Sequence, residues 1–223
     1  MKAEFIDKMG DDLLVVNAAR VSFDKESEYC DPESPHKPMW GKDIKLLNYL
    51  AKHNHWTPFS HPQICMRETV PIFVARQRFK HMVGFTYNEV SRRYVDDEPE
   101  FYQPDVWRSR PEGSVKQGSG DGEVTEILNE CVDLKLTVDK HNEYALGLYN
   151  DMLASNVAPE QARMVLPQSM YTSYYVTGSL AAWARAYKQR IDSNSQIEIQ
   201  ELAKQWGDII APLFPESWEA LTQ

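Results

Sequence analysis

The residues best suited to chemistry lie between positions 76 and 93. This stretch holds five lysines or arginines and a single acid, Glu89, within a chain of 223 residues whose net charge is -9. A guanidinium such as that of Arg93 can bind a phosphate through two hydrogen bonds. Glu89 and Gln77 could recognise donors and acceptors of a base or a sugar. The pattern therefore indicates a pocket for a small anionic ligand.

A solvated surface would show the same charges, and on the residues alone that interpretation stays open. A helix over 72–84 would place Ile72, Ala75, Phe79, Met82 and Val83 on its core face. The opposite face would carry Gln77, Lys80, His81 and Gly84. In the extended stretch that follows, Glu89, Ser91 and Arg93 would point one way.

Two further arginines lie in the C-terminal half. On a helix from residue 179, Leu180, Trp183, Ala184 and Tyr187 form the apolar stripe, and Arg190 lies at its edge. A buried guanidinium needs an anion or a polar partner. Arg190 could instead interact with the dipole of the helix C-terminus or extend to solvent. Arg163 could equally be a surface residue of a short helix.

Several classes of protein lack support in the sequence. The motifs GxGxxG, GxxxxGK[ST], HExxH and GxSxG do not occur. Cys30, Cys65 and Cys131 form no CxxC pair, so we predict neither a metal site nor a disulfide framework, and we expect Cys65 to be a buried apolar residue. No apolar run approaches ~20 residues and the N-terminus has no signal core, so we expect a cytoplasmic protein. The acidic balance argues against nucleic-acid binding.

The elements that must position these residues alternate between strands and helices. Strands or extended segments are predicted at 11–20, 63–70, 86–95, 101–109 and 168–178. Helices are predicted at 43–54, capped by Asp43, and at 72–84, 123–155, 158–167, 179–190 and 195–214. Residues 109–122 are interpreted as a flexible insertion loop. We expect one α/β or α+β domain over residues 1–223.

Five segments in one order resemble the flavin-dependent thymidylate synthases. They are TPFSH, PIFVARQRFKH, NEVSRRY, ARMVLP and KQRIDSNSQIEI, and the resemblance extends from about residue 43 to 213. NEVSRRY is the most specific of them. The family signature is Arg-His-Arg, seven residues and Ser. This chain departs from it with Lys80, His81 and Met82, then eight residues before Ser91.

The resemblance implies an activity and a fold. Enzymes of this family convert dUMP to dTMP, with methylenetetrahydrofolate as carbon donor and FAD, reduced by NADPH, as hydride source. They use no cysteine nucleophile, which agrees with the absence of an activated cysteine here. The family fold is a compact unit with a central, mostly antiparallel sheet flanked by helices. It assembles as a homotetramer with sites at subunit contacts.

The resemblance also implies site residues. Arg190, as the group that favours ionisation at N3 of the uracil, and Ser91 are the implied catalytic residues. The positions that match the dUMP-binding set are Gln77, Arg78, Lys80, Glu89, Ser91, Arg93, Arg163 and Arg190. Those that match flavin contacts are Thr57, Lys80, His81, Met82, Glu89, Ser179, Ala181 and Arg185. The family usually has Asn and Arg at the positions of Ser179 and Ala181, and often His at that of Asn194.

These departures leave two alternatives. One is a related flavin-dependent hydroxymethylation of dUMP. The other is a nucleotide-binding protein without turnover, which the imperfect Arg-His-Arg would favour and the presence of Ser91, Arg93, Arg163 and Arg190 opposes.

Overall fold

An antiparallel sheet of four strands forms the centre of the protein. The computed structural model describes residues 1–95, 97–113, 118–127 and 132–223. The strand order is β1-β2-β6-β3, and every neighbouring pair is antiparallel. The strands are β1 (Lys2–Met9), β2 (Gln63–Pro71), β3 (Phe85–Glu89) and β6 (Tyr171–Ser179), and β4 (Glu126–Ile127) and β5 (Val132–Asp133) form a separate two-stranded ribbon.

Helices flank this sheet, which confirms the predicted mixed architecture of one domain. They are α1 (Asp12–Arg20), α2 (Gly41–Lys52), α3 (Ile72–Arg78), α4 (Leu134–Ala154), α5 (Pro159–Ala162), α6 (Leu180–Arg190), α7 (Ile197–Ile210) and α8 (Pro215–Thr222). Within the described residues, no helix is long and apolar enough to cross a membrane.

The central strand pair is the one that the sequence predicted best. β2 and β6 pair without interruption from Gln63 opposite Ser179 to Pro71 opposite Tyr171. Side chains of a strand alternate between its two faces, so Ile64 and Met66 enter the core together and both are fully buried. Cys65 lies on the other face and is half-buried, which is less than the predicted full burial.

Aromatic packing holds α6 and α7 against the sheet. Trp183 of α6 and Trp206 of α7 are both fully buried, with ring centroids 5.6 Å apart. The indole Nε1 of Trp183 donates a hydrogen bond to the backbone oxygen of Ile64 at 3.2 Å. A buried tryptophan contributes a large apolar area and needs such a partner for its N–H. The predicted helix and its apolar stripe are therefore confirmed for α6.

The strand predicted at 11–20 is wrong, because this segment is helix α1. Its Leu and Val content favoured a strand, but the Asp11 carboxylate accepts a hydrogen bond from the Leu14 backbone N–H at 3.1 Å and caps a helix. Val15 and Val16 still enter the core. The first strand is β1, which the sequence did not predict.

The predicted helix 72–84 is too long, since α3 ends at Arg78. Gly84 has a φ of +81°, and a Cβ there would lie 2.8 Å from the Cβ of Ala182. The chain therefore turns into β3 early. Met82 and Val83, predicted in the core, are 66% and 73% exposed, whereas His81 is buried at 7%.

Three other predicted boundaries also need correction. The helix predicted from residue 123 begins at Leu134, preceded by the ribbon, and residues 128–131 lie outside the described residues. Residues 101–109 contain only isolated bridges at Phe101 and Arg108 instead of a strand. Trp40, rather than Asp43, precedes α2 as its N-cap, and Asp43 is buried beside Arg20.

The predicted insertion loop has its two ends joined. The backbone N–H of Ser109 donates to the oxygen of Gly122 at 2.6 Å, and that of Val124 donates to the oxygen of Trp107 at 2.7 Å. Residues 114–117 of this loop lie outside the described residues. Its predicted flexibility stays a prediction.

Candidate active site

A hydrogen bond between Arg190 and His81 marks the candidate site. Arg190 is the last residue of α6, and His81 lies in the turn after α3. Arg190 Nε donates to His81 Nε2 at 2.8 Å. Burial, and then the charges of Arg190, Arg78 and Arg185, lower the pKa of His81 to about 4. The imidazole is therefore neutral at physiological pH, so it accepts this bond without neutralising the arginine.

The depressed pKa of His81 predicts a specific pH dependence of stability. Unfolded His81 takes up a proton below its ordinary value of 6.5, whereas folded His81 does so only near pH 4. The unfolded state then binds more protons between these values, so acidification destabilises the fold over this window. We expect urea unfolding at pH 5 and pH 7.5 to show a larger loss for the natural protein than for the variant His81→Gln. Equal losses would contradict the assignment.

A buried cluster of charged and polar side chains lies next to the Arg190–His81 pair. Arg78 is fully buried, and its Nε lies 3.2 Å from both oxygens of Glu68, itself fully buried. Arg78 Nη1 donates to the Tyr87 hydroxyl at 2.6 Å, and that hydroxyl donates to the backbone oxygen of His81 at 2.7 Å. The Tyr174 hydroxyl completes the cluster by donating to Glu68 at 2.6 Å.

Arg78, a predicted dUMP contact, is fully buried in the chain. Its contact with the nucleotide stays a prediction. The guanidinium packs 4.4 Å from the ring centroid of Phe85 and 4.7 Å from that of Trp206. Through the Tyr87 hydroxyl, Arg78 also supports the backbone of His81.

A second polar chain begins at Gln77. Its Nε2 donates to Gln196 Oε1, and Gln196 Nε2 donates to Glu198 Oε2 at 2.8 Å. Glu198 is 3% exposed and forms an ion pair with Arg108. Arg108 Nε also donates to the hydroxyl of Ser119 at 2.9 Å. One predicted site residue is thus linked to the edge of the predicted insertion loop.

The predicted residues beyond β3 form a separate group. Glu89 Oε1 accepts a hydrogen bond from Thr172 Oγ1 at 2.7 Å. The predicted alternation past Glu89 is wrong, because residues 92–94 form a turn. In that turn Ser91 Oγ accepts from both the backbone N–H and Nε of Arg93, each at 3.3 Å. Ser91 and Arg93 thus lie side by side.

The predicted site residues Lys80 and Arg163 make no hydrogen bond with the Arg190–His81 pair within the described residues. Lys80 is exposed. Arg163 lies on a 3₁₀ helix, Arg163–Val165, and its Nε donates to the backbone oxygen of Glu160 at 3.3 Å. Across the ranges that the structure describes, no hydrogen bond joins Ser91, Arg93 or Arg163 to Arg190.

A wide cleft of about 980 Å³ opens beside α6. This volume lies at the upper end of the range for ligand sites. Three of the predicted flavin contacts line this cleft, namely Ser179, Ala181 and Arg185. Val83, Gly84 and Trp56 also line it. Arg185 Nη2 donates to the backbone oxygen of Val83. Thr57 follows Trp56 directly, and Met82 precedes Val83, so both lie next to this lining.

The cleft has the chemistry that a flavin dinucleotide requires. Its wall is built from small residues, Gly84, Ser179, Ala181, Ala182 and Ala184, which leave room for a large flat ligand. Lys52 and Arg185 add positive charge that suits a diphosphate. The residues present therefore fit FAD, although Ser179 and Ala181 are smaller than the side chains usual in the family.

Four buried or half-buried polar side chains of this region were not predicted from the sequence, namely Glu68, Arg108, Gln196 and Glu198. The alternation of β2 predicts the burial of Glu68, because Glu68 is an even number of residues from Ile64, Met66 and Val70 and so lies on the same, buried face of the strand. A carboxylate there requires a cationic partner.

The family assignment follows from comparison with known proteins. The family model described as "Thymidylate synthase complementing protein" matches residues 4–216. The chain belongs to this family, that of the flavin-dependent thymidylate synthases. A flavin-dependent thymidylate synthase of Thermosipho africanus is 37% identical, with 96% of this chain and 88% of the relative covered. Another, from Thermus thermophilus, is 32% identical over 98% of this chain and 74% of the relative.

Solved structures agree with the assignment. The UMP/dUMP methylase PolB from Streptomyces cacaoi, bound with 5-Br dUMP, is 30% identical, with a TM-score of 0.78 over 99% of this chain and 94% of PolB. The same methylase bound with 5-Br UMP gives a TM-score of 0.81 at 29% identity, with 93% of PolB covered. The predicted fold is thus confirmed by proteins that bind pyrimidine nucleotides.

Proposed function

We propose that this protein is an enzyme that reductively methylates dUMP to dTMP. Methylenetetrahydrofolate is the carbon donor, and FAD, reduced by NADPH, is the redox cofactor. The observation that carries the proposal is the Arg190–His81 pair at the end of α6, the helix whose residues also line the cleft. The family membership over nearly the whole chain sets the reaction.

Arg190 is assigned to the uracil ring. Its half-buried guanidinium keeps its charge, because a neutral His81 accepts its Nε–H. A fixed cation there stabilises the negative charge that develops when N3 of the uracil ionises. His81 holds the guanidinium in place and takes no proton itself.

The phosphate and sugar are assigned to the remaining polar residues. Arg93, whose Nε donates to Ser91, offers the two terminal nitrogens of its guanidinium to the phosphate. The full set of proposed dUMP contacts is Gln77, Arg78, Lys80, Glu89, Ser91, Arg93, Arg163 and Arg190.

The cleft beside α6 is assigned to FAD. Bound there, the flavin would supply the hydride that completes the methyl group. The proposed contacts are Thr57, Lys80, His81, Met82, Glu89, Ser179, Ala181 and Arg185. Arg185 and Lys52 would offset the charge of the diphosphate, and Gly84 and the alanines of α6 would admit the ring system.

The complete site is proposed to form between subunits of a homotetramer. Arg163 and the Ser91–Arg93 turn make no hydrogen bond to Arg190 in the described part of one chain. A neighbouring copy could bring these cations to the same nucleotide. Sedimentation of the purified protein tests this, and a monomer that makes dTMP at full rate would overturn it.

The activity itself is tested by product analysis. Purified protein is incubated with dUMP, methylenetetrahydrofolate, NADPH and FAD, each omitted in turn, and the nucleotides are identified by mass spectrometry. We expect dTMP only in the complete mixture. A hydroxymethylated product would favour the related flavin reaction. Nucleotide binding without product or flavin absorbance would favour a protein without turnover.

Replacing Arg93 with alanine tests the phosphate assignment. The variant should bind dUMP about tenfold or more weakly, since a hydrogen bond to a charged group contributes roughly 1.5–3 kcal/mol. Deoxyuridine, which lacks the phosphate, should lose little. Calorimetry with both ligands measures this, and Arg92→Ala is the matched control, because Arg92 Nη1 instead donates to the backbone oxygen of Asp97. Equal losses for the two ligands would contradict the role.

A further inference from the structure

The polar chain from Gln77 to Arg108 links distant parts of the sequence around one buried carboxylate. Gln77 lies in the last turn of α3, and Gln196 is the N-cap residue of α7. Glu198 is 3% exposed and accepts from Gln196 through Oε2 and from Arg108 through Oε1. Neither Gln196 nor Glu198 belongs to the proposed dUMP or FAD contacts.

The ionisation state of Glu198 determines which group donates in each hydrogen bond from Gln77 through Gln196 to Glu198. Burial would raise its pKa, but hydrogen bonds from Arg108, its own backbone and Gln196 outweigh burial and lower the pKa. Glu198 is therefore a carboxylate at neutral pH, and a carboxylate only accepts hydrogen bonds.

The orientation of both amides follows from this. Gln196 must turn its NH₂ group toward Glu198, so its Oε1 faces Gln77. Gln77 must then donate with its own NH₂ group, and its Oε1 is left as the atom available to a ligand. A carbonyl oxygen recognises a hydrogen-bond donor, such as a ring N–H or a sugar hydroxyl.

We propose that Glu198 is a positioning residue that acts through Gln196 to hold the Gln77 carboxamide with its oxygen toward the nucleotide. The inference rests on the proposed function, in which Gln77 contacts dUMP. The recognised group is a donor of the nucleotide, either the 3′-hydroxyl of the sugar or the N3–H of the neutral uracil, before N3 ionises. Arg108, next to the predicted insertion loop, holds the carboxylate from the other side.

The central test is Glu198→Gln, measured as dUMP affinity by calorimetry. The new amide can donate as well as accept, so Gln196 is no longer held in one orientation. We expect dUMP to bind about tenfold more weakly, the equivalent of one hydrogen bond. The matched control is Glu201→Gln, an exposed residue of the same helix that should bind dUMP normally. Unchanged affinity for Glu198→Gln would overturn the proposal.

A double-mutant cycle separates positioning from a general structural role. In a Gln77→Ala background, Glu198→Gln should weaken dUMP binding no more than about twofold, because its effect passes through Gln77. The same tenfold loss in both backgrounds would overturn the proposal. If Glu198→Gln does not fold, Gln196→Leu replaces it in the cycle, since that variant leaves the Arg108–Glu198 ion pair in place.

The two possible donors are distinguished with an analogue. With 2′,3′-dideoxyuridine monophosphate, the loss caused by Glu198→Gln should disappear if the 3′-hydroxyl is the recognised donor. If Glu198→Gln still weakens binding of this analogue, the recognised donor is the N3–H of the base.

The natural protein provides the reference for both proposals. If it neither binds dUMP nor makes dTMP, the proposed function fails and the positioning role fails with it. If it makes dTMP and Glu198→Gln binds dUMP like Glu201→Gln, only the positioning role fails.

Discussion

Replacing Arg190 with alanine is expected to lower kcat for dTMP formation by about 10²–10³-fold, which corresponds to ~2.7–4 kcal/mol of transition-state stabilisation. The guanidinium is half-buried, and burial, followed by the charge of Arg78, lowers its pKa while leaving it charged. Its hydrogen-bond partner His81 is neutral, so its charge remains available to the uracil. Steady-state kinetics with saturating FAD and folate measure the effect.

Two controls separate this loss from damage to the fold. Lys204→Ala removes one positive charge from an exposed position of α7 and should turn over normally. Urea unfolding should show that Arg190→Ala loses far less stability than activity. Turnover near that of the natural protein would remove Arg190 from the mechanism.

Removing one partner of the buried Arg78–Glu68 pair should destabilise the fold strongly. In Arg78→Met, Glu68 is left as a fully buried carboxylate, and among the residues that the structure describes only Tyr174 donates a hydrogen bond to it. Loss of one member of a buried ion pair typically costs about 3–5 kcal/mol. We expect the free energy of unfolding in urea to fall by this amount.

The double variant Arg78→Met with Glu68→Gln provides the comparison. It removes both charges at once, and an apolar or neutral pair of similar volume is often tolerated. We therefore expect it to be more stable than Arg78→Met alone. A double variant that loses the sum of both single losses would show that the ion pair itself is not the cause.

The parts of the fold that follow a local period could be predicted from the sequence. β2 and β6 alternate buried and exposed residues, and α6 carries an apolar stripe at helical spacing. α1 could not be predicted this way, because Leu13, Leu14, Val15 and Val16 suit a strand equally well. The decisive feature was the Asp11 cap, which outweighed their β propensity.

The candidate site depends on contacts that no local period encodes. α3 ends at Arg78, Gly84 packs closely against Ala182 of α6, and His81 is buried beside Arg190. Gln77 and Gln196 are 119 positions apart in sequence. The family resemblance named Arg190, His81 and Gln77 as site residues. Their partners became visible only in the structure.

The two central strands each continue into a helix without an intervening loop. α3 begins at the residue after β2, and α6 begins at the residue after β6, at opposite ends of the same nine-residue register. The turn after α3 and the last residue of α6 meet in the hydrogen bond between His81 and Arg190. An insertion or deletion of a single residue in either helix would shift its tip by about 1.5 Å and turn it by about 100°. Away from Gln77, Arg78 and Arg190, catalysis should therefore tolerate changes of residue type along these helices far better than any change in their length.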